Sequence, residues 1–317
     1  MQAALFALFL AVASSCGYAQ PYPSKPVRLL VGYPAGGGMD AIGRIFAQKA
    51  AEDLGQPMVV ENRPGASGAV AADAAAKAAA DGHTLYLGES GYLVLSAISS
   101  NLATDPLKSF APVAPVGSLP LLLVVPADSP AQNVRELIAM LKASPGSFSY
   151  GSPGVGTIHH LAFELFKRAA SLEVVHVPYK GGTPIVADVI TGRIAVGVLS
   201  SSLAAGPVKS GKVRPIALTS AQRVPFAPEW PSLAETLPGF DASPSIFLLA
   251  PAGTPQAAIG RLQEAARRIL ASPDVQQSFA NQGATPASGG GEELRAQMAG
   301  EIRRWGAIAR EAGIRAE

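Results

Sequence analysis

Cysteine is nearly absent from this sequence: Cys16 is the only one in 317 residues. Disulfides, thiol catalysis and cysteine-based metal sites all need cysteines that remain in the mature chain. If the N-terminal segment is removed, as argued below, no cysteine is left, and all three kinds of chemistry are excluded.

Charge is also scarce. Charged residues make up 15% of the chain and the net charge is only +2, whereas soluble proteins usually contain about 25% charged residues. No run of lysine or arginine occurs, so nucleic acid is not expected as a partner. The chain is nevertheless long enough for two domains of ordinary size.

The segment 1–19 has the pattern of a signal peptide. Residues 3–13 are apolar and uncharged, and this run is too short for a membrane span, which needs about 20 residues. Gly17 and Ala19 are the small residues at the −3 and −1 positions of a cleavage site before Gln20. We therefore expect a periplasmic protein whose signal peptide is cleaved near Ala19. Lipidation of Cys16 is the alternative, although the leucine usual three residues before such a cysteine is missing.

Apolar runs alternate with helical periodicity, which predicts an α/β fold. The first part gives strands at 27–31, 58–60 and 84–87 and helices at 39–51 and 67–79. This βαβαβ order forms a parallel sheet with helices on both faces. A second series begins at residue 121. Its strands are predicted at 121–125, 147–150, 173–177, 194–199, 213–219 and 245–250, and its helices at 133–142, 157–169, 184–191, 256–270 and 292–312.

Two strand–turn–helix units, starting at 121 and 246, resemble each other. Each has the turn Pro-Ala-x-x-Pro after its strand and Ala-Ser-Pro after its helix. Either a common turn is repeated by chance, or 121–125 and 246–250 are two strands that cross between domains. We predict one lobe from residues 20–122 and 250–317 and another from 123–249. Two crossings without a flexible linker suit a hinged clamshell.

Four glycine-rich loops connect a strand to a helix, two in each half of the chain. They cover residues 33–40, 62–68, 150–157 and 178–183. Ligands of open α/β sheets bind outside the carboxyl ends of the strands, where such loops lie. Helix N-termini there offer unpaired N–H groups and partial positive charge, so several together can hold an anion without a dedicated arginine. The alternative is that each glycine only makes a tight turn.

Several segments carry a more specific resemblance. Residues 60–68 read Val-Glu-Asn-Arg-Pro-Gly-Ala-Ser-Gly, residues 150–157 read Tyr-Gly-Ser-Pro-Gly-Val-Gly-Thr, and residues 177–181 read Val-Pro-Tyr-Lys-Gly. With 25–31, 34–40, 81–85 and 251–255, they resemble the receptor family of tripartite tricarboxylate transporters, also called Bug receptors. The resemblance runs from Tyr22 to the C-terminus.

The resemblance implies a type II periplasmic binding fold. This is an α/β fold of two lobes, each with a mostly parallel sheet flanked by helices, joined by two crossing strands. It implies a receptor rather than an enzyme, which captures a small carboxylate between the lobes for a membrane transporter or a sensor. No cofactor or metal is expected, and a monomer is expected.

The resemblance also implies which residues hold the ligand, mainly through backbone amides and bridging waters. One position departs from the family, because the strand after Arg193 ends in Leu199 where relatives usually carry an acid. Leu199 is therefore included as a contact, with simple packing as the alternative. The predicted contacts are Tyr33, Pro34, Ala35, Gly36, Gly37, Asp40, Ala66, Ser67, Gly68, Ser90, Ser152, Gly154, Gly156, Thr157 and Leu199.

The missing acid at Leu199 predicts a ligand without an amine. A buried ammonium group needs a partner, because an unpaired buried charge costs several kcal/mol. Asp40 is the one acidic side chain that the sequence places in these loops, and near a helix start it caps the helix or holds its loop together. We therefore expect amino acids to bind at least about tenfold more weakly than the matching carboxylates.

The alternative class of protein is an NAD-dependent oxidoreductase with a Rossmann fold. Gly36, Gly38 and Ala41 fit its G-x-G-x-x-A fingerprint, and Glu61 follows the second strand. The signal peptide and the longer turn at Pro34 oppose this interpretation.

His159 and His160 with Glu164 are the nearest approach to a metal site. Adjacent histidines on a helix point in different directions, and only His160 and Glu164 share a face. We therefore expect these histidines to pack or to cap the helix. No G-x-S-x-G, H-E-x-x-H or P-loop motif occurs in the sequence.

Overall fold

The computed structural model describes residues 22–315. The predicted signal peptide at 1–19, with Cys16 and the cleavage site after Ala19, lies outside the described residues. Within them the chain forms two β-sheets flanked by helices, which confirms the predicted two-sheet α/β architecture.

The strands are numbered in chain order. The first sheet has the order β11-β4-β10-β3-β1-β2, and the second has the order β7-β6-β8-β5-β9. The bounds are β1 Val27–Val31, β2 Met58–Asn62, β3 Thr84–Glu89, β4 Phe110–Ser118, β5 Leu121–Pro126, β6 Ser149–Ser152, β7 Val175–Pro178, β8 Val196–Ser200, β9 Val213–Leu218, β10 Ser245–Pro251 and β11 Thr285–Pro286.

Ten helices flank these sheets in the part of the chain from 22 to 315. Within that part, none combines the length and the apolar character that a bilayer crossing requires. A short 3-10 turn, Ala66–Gly68, precedes the second helix. The bounds are α1 Gly38–Leu54, α2 Ala69–Ala76, α3 Ser90–Ile98, α4 Val134–Ala143, α5 Ile158–Ala170, α6 Gly182–Ile190, α7 Ser201–Lys209, α8 Gln256–Ala271, α9 Pro273–Asn281 and α10 Gly291–Glu311.

Both sheets contain the predicted parallel βα units. Strands β1, β2 and β3 are parallel neighbours, and so are β6, β7 and β8. Strand β10 runs antiparallel to its neighbours in the first sheet, and β5 does so in the second. Each sheet is therefore more mixed than the sequence pattern indicated, because each accepts a strand that arrives from the other lobe.

The chain passes between the sheets at two places that lie side by side. The first crossing is formed by Leu119 and Pro120, and the second ends at Pro244, just before β10. The Leu119 N–H donates to the Pro244 carbonyl at 3.0 Å. The sequence placed the crossings along 121–125 and 246–250, but these segments lie wholly in the second and first sheets. The exact lobe limits at 122 and 249 stay a prediction.

Helix α10 joins the two halves a third time. Its Leu294 and Met298 belong to a core cluster with residues of β1, β3 and β10. Trp305 and Ile308, farther along the same helix, belong to the core of the second sheet. Trp305 is fully buried, and α10 packs against α5. Helix α10 therefore contributes buried side chains to the cores of both sheets.

Candidate ligand-binding site

The predicted contact loops lie at the carboxyl ends of neighbouring strands. Because β1, β2 and β3 are parallel and adjacent, the loops that follow them meet at one edge of the first sheet. The loops after β6, β7 and β8 meet in the same way at one edge of the second sheet. The second-sheet loops reach the first lobe at Gly156, where a Cβ atom would lie 3.0 Å from Ile98 Cδ1 of α3.

The first loop runs from the end of β1 to α1. Its residues 34–37 are exposed, so their backbone is open to a ligand. Behind the loop, the Asp40 carboxylate accepts hydrogen bonds from Gly36 N, Arg44 Nε and Asn62 Nδ2, each at 2.9 Å. Asp40 therefore holds the loop together, as the sequence indicated.

The charge of Asp40 is stabilised by these same partners. Burial alone would raise the pKa of Asp40, but the hydrogen bonds from Arg44, Gly36 and Asn62 outweigh burial and lower that pKa to about 2. The carboxylate is ionised at neutral pH and engaged within its own lobe. It is therefore a support for the loop rather than a partner for a ligand.

The second loop has an unusual backbone. Ala66, Ser67 and Gly68 have positive φ angles of 45°, 50° and 91°, whereas Ala69 is right-handed with φ of −63°. Left-handed conformations at residues other than glycine cost energy and cluster at functional sites. A change of hand also turns successive N–H groups to one side, as in backbone anion sites. A Cβ atom at Gly32 would lie 2.4 Å from Gly68 Cα, so this loop packs directly on the end of β1.

The loop after β6 is supported from behind by two histidines. His176 Nε2 lies 2.7 Å from Ser152 Oγ, and His160 Nδ1 accepts the Gly156 N–H at 3.1 Å. Their rings stack with centroids 3.8 Å apart. Burial lowers the pKa of both rings, to about 3 for His160, so both are neutral. Thr157 caps α5 by accepting from His160 N at 3.3 Å, and the expected packing role of His160 is confirmed.

Ser90 was predicted as a ligand contact, but its side chain serves the connection between the lobes. It is fully buried, and its hydroxyl donates to Glu301 Oε2 at 2.6 Å. The Ser245 hydroxyl donates to Glu301 Oε1 at 2.7 Å. This network links the starts of α3 and β10 to helix α10, beside the chain crossing.

Leu199 was also predicted to line the ligand site. Its side chain is instead fully buried, in the core cluster that contains Leu122, Ile185 and Ala204. Apolar packing accounts for Leu199, as the alternative interpretation held. Its identity therefore says nothing about an amine on the ligand.

The structure adds an acidic residue that the sequence analysis overlooked. Glu89 is the last residue of β3 and lies at the same sheet edge as the loop after β1, with only 8% of its surface exposed. The Tyr33 hydroxyl donates to Glu89 Oε1, and the Gly91 N–H also bonds to the carboxylate. Asp40 is therefore not the only acid at this edge.

The Glu89 carboxyl group has a pKa close to neutral pH. Burial raises the pKa of Glu89 to about 7, against the hydrogen bonds from Tyr33 and Gly91, and the charge of Glu301 adds to the rise. Burial also raises the pKa of Tyr33 well above its ordinary value, and the charge of Glu89 strengthens that effect. Tyr33 therefore stays a hydrogen-bond donor throughout the neutral range.

The oxidoreductase alternative requires Glu61 to bind a ribose. The Glu61 carboxylate instead accepts hydrogen bonds from Arg28 Nη2 and Arg63 Nε, both at 2.6 Å. The acid that this alternative needs is thus paired with two arginines.

Comparison with known proteins decides the class. A family model described as the tripartite tricarboxylate transporter family receptor matches residues 42–314. The chain belongs to this family. The resemblance seen in the sequence is confirmed, the class is that of a receptor rather than an enzyme, and the oxidoreductase alternative is not supported.

Relatives of the receptor match it along nearly their whole length. Protein BugT of Bordetella pertussis is 35% identical over 317 residues, covering 98% of this chain and 97% of BugT. A structure of an R. palustris protein with adipate has 32% identity and a TM-score of 0.80, covering 93% and 99% of the two chains. MatC from Rhodopseudomonas palustris with bound malate has 29% identity and a TM-score of 0.75, covering 90% and 99%.

Proposed function

We propose that this receptor captures a small carboxylate between its two lobes and delivers it to a membrane transporter or a sensor. One observation carries the proposal: in each sheet, loops and helix N-termini lie together at the carboxyl ends of the parallel strands. The relatives solved with adipate and malate support the same ligand class. The residues proposed to touch the ligand are those of the loops at 33–37, 66–68 and 152–157.

Helix α1 offers one anion-binding N-terminus in this arrangement. Its N-cap is Gly37, which has no side chain to pair with the first N–H groups of the helix. Those N–H groups, with roughly half an elementary charge at the helix end, are left for an anion. Helix α5 differs, because Thr157 already caps it.

Substitution of Gly37 by valine tests this backbone site. We expect at least about a tenfold loss of affinity, roughly 1.4 kcal/mol, because a branched side chain would cover the N–H groups of α1. The fold should tolerate the change, since Gly37 has φ of −83° and its Cβ would lie 3.4 Å from the nearest atom, Pro34 O. Calorimetry with the carboxylate that binds wild type most tightly gives the measurement.

Gly260→Val is the matched control for Gly37→Val. A Cβ atom at Gly260 in α8 would meet nothing within 4 Å. The adjacent Arg261 bonds to Asp53 near the C-terminal end of α1, opposite the end that begins after Gly37. The control should bind like wild type. Equal affinity of Gly37→Val and the control would mean that α1 does not hold the ligand.

The protein is proposed to act in the periplasm. Two related structures, which are described as periplasmic proteins, support this location. We expect the first 19 residues to be removed after export, because Gly17 and Ala19 stand at the cleavage positions. Intact-mass measurement of protein from the periplasm should show Gln20 at the N-terminus. A lipid on Cys16 would contradict this route and show membrane anchoring instead.

A further inference from the structure

Glu89 is a buried acid at the edge where the ligand is proposed to bind. It ends β3, and its neighbour Tyr33 begins the exposed loop after β1. The two side chains are joined by the hydrogen bond from the Tyr33 hydroxyl to Glu89 Oε1. The Tyr33 side chain therefore connects the exposed loop to the Glu89 carboxylate, and its ring also lies beside the second loop, where a Cβ atom at Gly68 would be 3.9 Å from Tyr33 Cε2.

Within residues 22–315, the groups that act on Glu89 are hydrogen-bond donors and a second acid, with no cation among them. Tyr33 on the β1 loop and Gly91 N–H on α3 donate to it, Tyr86 lies on its own strand, and Glu301 on α10 adds a second negative charge. A carboxylate has about four lone-pair positions, of which these donors fill two. Burial of an ionised carboxylate costs free energy when some of its lone pairs accept no hydrogen bond and no cation lies beside it. A further hydrogen-bond donor would lower this cost.

An anionic ligand makes this cost larger. If the carboxylate of the ligand binds at the N-terminus of α1, it adds another negative charge near Glu89. A hydrogen-bond donor on the ligand removes the conflict, because it can bond to Glu89 while its carboxylate bonds to the loop.

We propose that Glu89 is a specificity-determining residue, which accepts a hydrogen bond from an ammonium or hydroxyl group carried beside the carboxylate of the ligand. This inference rests on the proposed function. It reverses the expectation that amino acids bind weakly, because Leu199 is packed in the core and Asp40 is not the only acid at the site.

The test compares ligands that differ only in the donor. Succinate, malate and aspartate form one set, and glutarate, 2-hydroxyglutarate and glutamate form a second. Titration calorimetry at about pH 8, where Glu89 is ionised, should show a donor-bearing member binding at least about tenfold more tightly than its unsubstituted counterpart. In Glu89→Leu, which offers no acceptor to either donor, the ratio should fall below about threefold. In Glu89→Gln, which keeps a carbonyl acceptor but loses the charge, the ratio should fall for the amino acids and change less for the hydroxy acids.

The malate and aspartate arms distinguish the two donors. Aspartate should lose affinity when the pH falls to about 6, because protonation removes the charge that pairs with its ammonium group. Malate should change less, since a protonated carboxyl still accepts a hydrogen bond through its carbonyl oxygen. The arm that shows the preference in wild type identifies the donor.

Glu264→Gln in α8 is the control for loss of an acidic charge, and it should keep the wild-type ratio. The inference is overturned if wild type binds succinate and glutarate as tightly as their substituted counterparts, or if Glu89→Leu keeps the preference. If none of these carboxylates, adipate included, binds wild type at all, the proposed function fails first and the inference fails with it.

Discussion

Replacement of Trp305 by alanine is expected to lower the free energy of unfolding by about 3–5 kcal/mol, the usual cost of emptying a buried aromatic site. Trp305 is fully buried on α10, within the core of the second sheet. Alanine is a good helix former, so α10 itself should persist. Urea denaturation, followed by circular dichroism at 222 nm, measures the loss.

The same variant should also loosen the lobes. Because α10 serves both cores, loss of its anchor in the second sheet should increase the radius of gyration measured by X-ray scattering. Trp230→Ala is the matched control, since Trp230 is 8% exposed and packs only within the second lobe, in the cluster around Leu218. The control should lose stability but keep the wild-type radius. An unchanged radius in Trp305→Ala would show that α10 does not fix the lobes.

Glu89→Gln is expected to stabilise the ligand-free protein by about 3 kcal/mol at pH 8 and by little at pH 4. The pKa of Glu89 rises from 4.5 to about 7 on folding. A raised pKa means that the stability contributed by Glu89 is full below about 4.5 and is lost as the pH rises through about 7. Glutamine does not titrate, so the variant escapes that loss.

Urea unfolding of wild type and Glu89→Gln at several pH values between 4 and 8 measures this difference. The gap between the two proteins should open with rising pH, mostly between about 4.5 and 7. Glu264→Gln again serves as control, because that carboxylate is exposed. Parallel curves for wild type and Glu89→Gln would show that Glu89 does not carry the raised pKa.

The sequence was sufficient for elements whose signals are local. Strand β1 was predicted with its observed bounds, because residues 27–31 are apolar except for Arg28 and have β-branched valines at both ends. Helix α3 was missed because its Tyr92, Leu93 and Val94 are all buried, so the segment is apolar all round and shows no helical period.

Strand β4 was missed for a different reason. It contains Pro112 and Pro115, and prolines in a run argue against a strand because they lack the ladder donor. The register of β4 against β10 shifts beside both prolines, and β11 pairs only with Gly117 and Ser118. The strand thus accommodates prolines through irregular pairing, which no local pattern reveals.

The site was predictable to the extent that glycine loops and strand ends are local features. The roles of Ser90 and Leu199 were not, because each depends on distant partners; Ser90 meets Glu301 across 211 positions in the sequence. Glu89 did leave a signal. It is the single charged residue in the apolar segment 84–98, and it stands at a strand-to-helix junction.

Helix α10 packs into the cores of both lobes, and this affects the order in which the lobes can fold. The strands of the second sheet come from one stretch, residues 121–218, yet Trp305 and Ile308 close its core. These residues are synthesised after every strand of the second sheet. The second lobe therefore cannot finish folding when its own strands have been made, and its core stays open until α10 has left the ribosome.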